Sequence, residues 1–243
     1  MQIALHKPWM MKVELLFIHG AGGGNVTWRL QLLRFKNAQA IALPGHPDSH
    51  GRVTIEEYAE FVAEYVIAKH IHRPILVGHS MGGAIAIEYA LGGPNLTGLV
   101  LVGTGARLRV RHDLLSRVRE DYPQACTMLA KLSAAPDCDP IIINRIRNQL
   151  LKIPSDVTYG DLCACDRFDR IREVNRIVCP TLIVCGTNDQ LTPLKYSEYP
   201  HQNIRNSKLV KIPQAGHSTM LEKYREFNRI LADFEASLTG VRH

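Results

Sequence analysis

Three polar residues stand just beyond three short apolar runs: Ser80 after 75–77, Asp189 after 181–185 and His217 after 208–212. A serine hydroxyl is a weak nucleophile until a base removes its proton. Histidine is the usual base, and a carboxylate fixes the imidazole tautomer and stabilises its charged form. Together the three types can transfer an acyl group through a covalent acyl-serine. The base must be neutral to act, so activity is expected to fall in acid.

Ser80 is the centre of Gly78-His79-Ser80-Met81-Gly82, with the apolar run before it and an alanine-rich, helix-compatible stretch from Gly83 to Ala90 after it. This order reads as strand, sharp turn, helix. At so tight a turn the serine must take an unfavourable backbone conformation, and glycines on either side keep neighbouring chain from colliding. The helix would begin at the nucleophile, aiming the Met81 N–H and the positive helix end at a developing oxyanion. A plain Gly/Ser loop is the alternative, and the flanking apolar patterns argue against it.

Other residues compete for these roles. Asp161, Asp166 and Asp169 are rival acids, but none directly follows an apolar run. His79 sits beside the nucleophile, where its side chain points elsewhere; His46 and His19 lie in loops, and His70 and His72 read as solvated residues at a helix end. The loop His19-Gly20-Ala21-Gly22-Gly23-Gly24 could let backbone approach a ligand. It lacks the Gly-Lys-Ser/Thr of a phosphate-binding loop, and a dinucleotide fingerprint starting at Gly20 would need glycine where Asn25 stands.

The positioning elements follow from hydrophobic period. A short strand over 2–6, near-continuous apolar runs over 13–18, 40–43, 75–77, 99–102 and 181–185, and a last run over 208–212 predict strands, most of them buried inside a parallel sheet. In such a sheet all strand C-terminal ends open on one side, which lets Ser80, Asp189 and His217 converge. Thr54 and Glu57 form a predicted capping box ahead of a helix with Ile55, Tyr58, Val62 and Val66 on one stripe. A second capping box, Thr219 to Glu222, is expected to open a final helix. The alternation pauses between about 107 and 166, where short amphipathic helices broken by prolines are expected. About sixty residues far exceed the dozen or so that a crossover needs. The expected organisation is a core from 1–106 and 167–243 with a helical cap inserted at 107–166.

Composition excludes several classes. The 243 residues are 46% hydrophobic and 21% charged, as in ordinary globular proteins. The net charge of +6 comes from scattered Lys and Arg with only a modest cluster from Arg107 to Arg119, which does not suggest a nucleic-acid footprint. No run approaches the ~18 apolar residues of a membrane span and no signal-peptide core is evident, so a cytoplasmic location is expected. The six cysteines, with Cys163 and Cys165 too close for a zinc knuckle, are expected to be free thiols.

With His19-Gly20 and Trp28, Leu43-Pro44-Gly45-His46, the turn around Ser80, Gly186-x-x-Asp189-x-x-x-Pro193 and Gly216-His217 in this order, the chain resembles the α/β-hydrolase family over nearly its whole length. It is similar in layout to small capped carboxylesterases and pimeloyl-carrier-protein methyl esterases. The resemblance implies an α/β fold: a mostly parallel, twisted sheet of about six or seven strands flanked by helices, with a helical cap. Few residues precede the first buried strand, too few for the full antiparallel hairpin that many members carry. By the same resemblance Ser80 is the nucleophile, His217 the general base, Asp189 its orienting acid, and the N–H groups of Ala21 and Met81 the oxyanion hole. A serine at the turn argues against the branches that use a carboxylate nucleophile. The expected function is hydrolysis of a small carboxylic ester without metal or organic cofactor, nucleic-acid partner or membrane. A carbon–carbon bond hydrolase, a thioesterase or acyltransferase, and a low-turnover receptor on the same fold are the alternatives. Neither the acyl or alcohol group nor the oligomeric state follows from the sequence.

Overall fold

Strand β1 (Leu15–Ile18) is buried at every position. Leu15 and Phe17 enter one apolar layer and Leu16 and Ile18 the other, because successive side chains of a strand leave opposite faces. A strand that is apolar on both sides belongs inside a sheet covered on both faces. The computed structural model describes residues 14–47 and 50–239 and places β1 there. The expected strand over 2–6 lies outside the described residues. Among the described residues the sheet order is β2 (Ala38–Ile41), β1, β3 (Ile75–His79), β4 (Gly98–Val102), β5 (Thr181–Gly186) and β6 (Ser207–Ile212), six strands with every neighbouring pair parallel.

β2 begins two residues before the apolar run at 40–43. Its register pairs Ala38 with Leu15. Leu43 has already left the strand, and its N–H donates to His19 Nε2 at 3.2 Å. From β1 the chain steps outward to β2 and then returns to place β3 on the other side of β1. The loops after β1 and β3 therefore face each other at this reversal, where open α/β sheets leave a crevice.

Helix α1 (Arg29–Arg34) covers the Phe17 face of the sheet, while α2 (Ile55–Ala68) and α3 (Met81–Leu91) cover the Leu16 face. The Thr54–Glu57 capping box forms, with the Glu57 N–H donating to Thr54 Oγ1 at 3.2 Å and the Thr54 N–H to Glu57 Oε2 at 3.1 Å. Four α-helices and a short 3-10 turn (Val174–Arg176) then separate β4 from β5, the α-helices being α4 (His112–Glu120), α5 (Tyr122–Leu132), α6 (Pro140–Leu150) and α7 (Ser155–Arg167). Asp121 and Asp139 cap α5 and α6, each followed within two residues by proline, which suits a first turn whose N–H groups lack helical acceptors. This insertion has its own apolar cluster, including Leu114, Val118, Cys126, Leu129 and Leu162. Its two stems are tied by an antiparallel bridge between Arg107 and Asp169 and by the Arg170 N–H donating to Ala106 O at 2.7 Å.

After β5 come α8 (Lys195–Asn203), β6, α9 (Thr219–Glu222) and α10 (Tyr224–Thr239). The expected single final helix is thus two helices, broken at Lys223. The Thr219–Glu222 capping box does not form. The Glu222 carboxylate reaches backward, accepting from the Gly216 N–H at 3.1 Å and from the Ala135 N–H at 2.8 Å, and so ties the segment before His217 to the end of α5. All six cysteines are free thiols. Among the described residues no helix is long and apolar enough to cross a membrane.

Candidate active site

The turn from β3 to α3 carries Ser80 at φ 54°, ψ −118°, a conformation that L-residues seldom adopt. Close packing enforces it. A Cβ at Gly78 would run into the Gly82 carbonyl, and one at Gly82 into the carbonyls of Ile18 and His19. The Ser80 N–H donates to Val102 O at 2.9 Å, and Ser80 O accepts from the Gly83 N–H at 2.9 Å and from Thr104 Oγ1 at 2.8 Å. Thr104 was not legible as a site residue in the sequence, since nothing in its surroundings marks it. Met81 is the first residue of α3, so its N–H has no acceptor within the helix.

Asp189 lies three residues beyond β5 and His217 five beyond β6. Both are buried, and His217 Nδ1 donates to Asp189 Oδ2 at 2.8 Å. That bond assigns the proton to Nδ1 and leaves Nε2 as the acceptor. Asp189 Oδ1 accepts from the N–H groups of Leu191 and Thr192 at 2.9 and 2.8 Å, and Oδ2 also accepts from Thr192 Oγ1 at 2.8 Å. Burial would raise the carboxyl, but the facing His217 ring and the Thr192 hydrogen bonds more than reverse this and hold it below the ordinary carboxylate range. Gly103, at φ +53, is where this pair presses against β4: an added Cβ would lie 3.1 Å from His217 Nδ1.

The rival residues are engaged elsewhere. Asp166 Oδ1 accepts from the Val110 N–H, and Asp169 pairs with Arg107. His19 Nδ1 donates to Gly20 O at 2.9 Å while Nε2 accepts from Leu43, which fixes one neutral tautomer. His79 Nε2 donates to the His217 carbonyl at 3.1 Å, supporting the backbone that carries the candidate base.

A cleft of about 1050 Å³ opens over these loops. Ser80 and His217 line it together with Ala21 of the loop after β1, and Asp189 sits behind His217. Leu129, Ile142 and Ile146 of the inserted helices form part of its apolar wall. Among the described residues its lining includes no Asp or Glu. Arg29, Arg145, Lys152 and Lys195 line it exposed, with no ion-pair partner among the described residues.

Burial, and secondarily the neighbouring His46 and His217 rings, hold the His19 and His79 imidazoles down to about 3. Both are therefore neutral in the fold, whereas in the unfolded chain they protonate near 6.5. The unfolded state then binds more protons, so their contribution is present in full above ~6.5 and is lost as pH falls toward 3. Each should remove about 1.4 kcal/mol per pH unit once well below 6.5. Asp189, held below the ordinary carboxylate range, adds a loss in the same direction but only below about 4, outside that window. Urea unfolding at pH 7 and 5 should show a clear loss of stability, with a shallower slope in His79→Gln. Equal stabilities at the two pH values would contradict it.

The sequence profile of the Alpha/beta hydrolase family matches residues 15–230. A pimeloyl-[acyl-carrier protein] methyl ester esterase of Neisseria meningitidis is 28% identical over 212 residues, covering 80% of this chain and 81% of that protein. A putative carbamate hydrolase, RutD, of Escherichia coli is 27% identical, covering 97% and 94%. Among solved structures, one described as a thermophilic esterase superposes with a TM-score of 0.83 at 35% identity, covering 94% of this chain and 91% of that one.

Proposed function

Because the chain belongs to the alpha/beta hydrolase family, we propose that it is a serine carboxylesterase whose nucleophile is Ser80. One observation carries the reading: a serine held in a strained turn shares a cleft with a histidine whose Nδ1 is bound 2.8 Å from a buried carboxylate. His217 Nε2 takes the Ser80 hydroxyl proton as Oγ bonds to the ester carbonyl carbon. The carbonyl oxygen becomes an oxyanion facing the N–H groups of Ala21 and Met81. Collapse breaks the ester C–O bond, and the proton on His217 leaves with the alcohol. Water, deprotonated by His217, then attacks the acyl-serine carbonyl; the acyl–Oγ bond breaks, His217 returns the proton to Ser80 Oγ, and the acid is released. Asp189 stays ionised throughout and stabilises the imidazolium.

The test is p-nitrophenyl acetate turnover combined with an organophosphonate probe. Stoichiometric labelling of Ser80, read by peptide mass spectrometry, and loss of turnover on labelling support the reading. Turnover that survives full labelling, or a label on another residue, overturns it.

In this reading residues 107–166 are a cap over a core of 1–106 and 167–243, and they set substrate range. The substrate class is an ester with an apolar acyl chain whose far end carries an anionic group. The Leu129 and Ile142 wall and the four cations of the cleft that have no ion-pair partner among the described residues support this. Leu129→Ala and Ile142→Ala should shift acyl-chain preference by about tenfold while leaving acetate ester turnover within about twofold, since one or two lost methylene contacts are worth that much. An ester panel varying chain length, with and without a terminal carboxylate, reads both features. Uniform loss at all lengths in folded variants would contradict a specificity role.

A further inference from the structure

Asp161 is fully buried in α7, and the ester chemistry above does not use it. Its Oδ2 accepts from the Gly22 N–H at 2.9 Å and lies 2.8 Å from His46 Nε2, and its Oδ1 accepts from the Tyr58 hydroxyl at 2.6 Å. These three partners come from the loop after β1, the loop after β2, and α2. His46 Nδ1 lies 2.9 Å from the Pro44 carbonyl, which can only accept, so that nitrogen is a donor and the other ring nitrogen shares a hydrogen with Asp161. Burial first, and then the facing Asp161, push the Tyr58 hydroxyl upward, so it remains a donor. A carboxylate taken out of water costs several kcal/mol unless its oxygens are satisfied. Here they are, by partners that no local helix requires.

The consequence lies at Ala21. Gly20 O accepts from the Gly23 N–H at 3.0 Å and from His19 Nδ1 at 2.9 Å. Across a planar trans peptide the Gly20 carbonyl and the Ala21 N–H point in opposite directions, so holding one aims the other. The next peptide carries the Gly22 N–H, and Asp161 holds that one. Gly22 has φ +61, and an added Cβ would come within 2.8 Å of Leu150 and 3.1 Å of Thr158, so the turn is pressed against the inserted helices. Both peptide planes flanking Ala21 are thereby fixed, one by the core and one by the insertion.

We propose that Asp161 is a positioning residue for the oxyanion donor Ala21, a carboxylate supplied by the inserted helices that holds the glycine-rich loop in its reactive conformation. This rests on the reading of Ser80 as nucleophile and Ala21 as oxyanion donor. It makes the seating of α7 a determinant of reaction rate as well as of pocket shape, and it assigns His46 and Tyr58 to holding that carboxylate.

The experiment compares wild type, Asp161→Asn and Tyr58→Phe on a short neutral ester. A trifluoromethyl ketone that forms a tetrahedral adduct with Ser80 serves as the oxyanion probe, and near-UV circular dichroism checks the fold. Removing an oxyanion donor outright costs about 10²–10³ in kcat, so misaiming one should cost less. Asp161→Asn should lower kcat by about 10- to 100-fold with KM within about threefold, and weaken the ketone by the same factor as kcat/KM. Tyr58→Phe leaves the Gly22 bond in place and should show the same parallel at about three- to tenfold. It carries the test if Asp161→Asn does not fold. Folded variants that keep kcat and ketone affinity within about threefold of wild type, that change KM alone, or that lose kcat without losing ketone affinity overturn the proposal. If wild type itself gives no adduct at Ser80, the reading of the nucleophile fails instead, which the wild-type arm shows separately.

Discussion

Ser80→Ala should abolish ester hydrolysis while the fold remains intact. In the proposed mechanism the hydroxyl supplies the atom that bonds to the acyl carbon, so no neighbour can replace it. Removing a nucleophile that works as a unit with its base costs about 10⁴-fold or more in kcat. The fold should tolerate the change because the backbone makes the structural bonds at this position: the Ser80 N–H to Val102 and the Ser80 carbonyl to Gly83 and Thr104. Alanine keeps those bonds and keeps a Cβ. Stopped-flow turnover and thermal unfolding on the same sample test both halves. A folded variant with a tenth of the wild-type rate would place the nucleophile elsewhere.

Asp189→Asn should lower kcat by about 10⁴-fold, again without unfolding. The carboxylate accepts from His217 Nδ1 and from the Leu191 and Thr192 N–H groups at once. An amide oxygen directed at those N–H groups leaves its NH₂ facing His217. Nδ1 then becomes the acceptor, the ring proton moves to Nε2, and the nitrogen that must receive the Ser80 proton is already occupied. The imidazolium also loses its facing negative charge. A nearly silent Asp189→Asn, with loss on changing Asp166 instead, would show that the acid is misassigned. Asp166 is the informative control because its carboxylate is committed to the Val110 N–H at the stem of the insertion.

The sheet was readable because its signals are local. Six apolar runs predicted the six strands seen among the described residues, and their parallel pairing follows from the helices that separate each strand from the next. Edges were less legible. β2 starts two residues early because register is chosen by the partner strand, and the Thr219–Glu222 pair looked like a cap although the Glu222 carboxylate is drawn to the Gly216 and Ala135 N–H groups.

What the sequence determined by itself is the order of the candidate groups: a serine, an acid and a histidine, each set just past an apolar run, so that a parallel sheet must bring them to one edge. Spacing along the chain is enough for that, because strand direction fixes which end every loop leaves from. The tertiary structure alone decided what packs around the loops that carry them and around the glycine-rich loop beside them. Asp161 meets Gly22 across 139 positions and Tyr58 across 103. Nothing in the local period of α7 marks Asp161 as different from its neighbours, because its partners are set by where the inserted helices come to rest on the core.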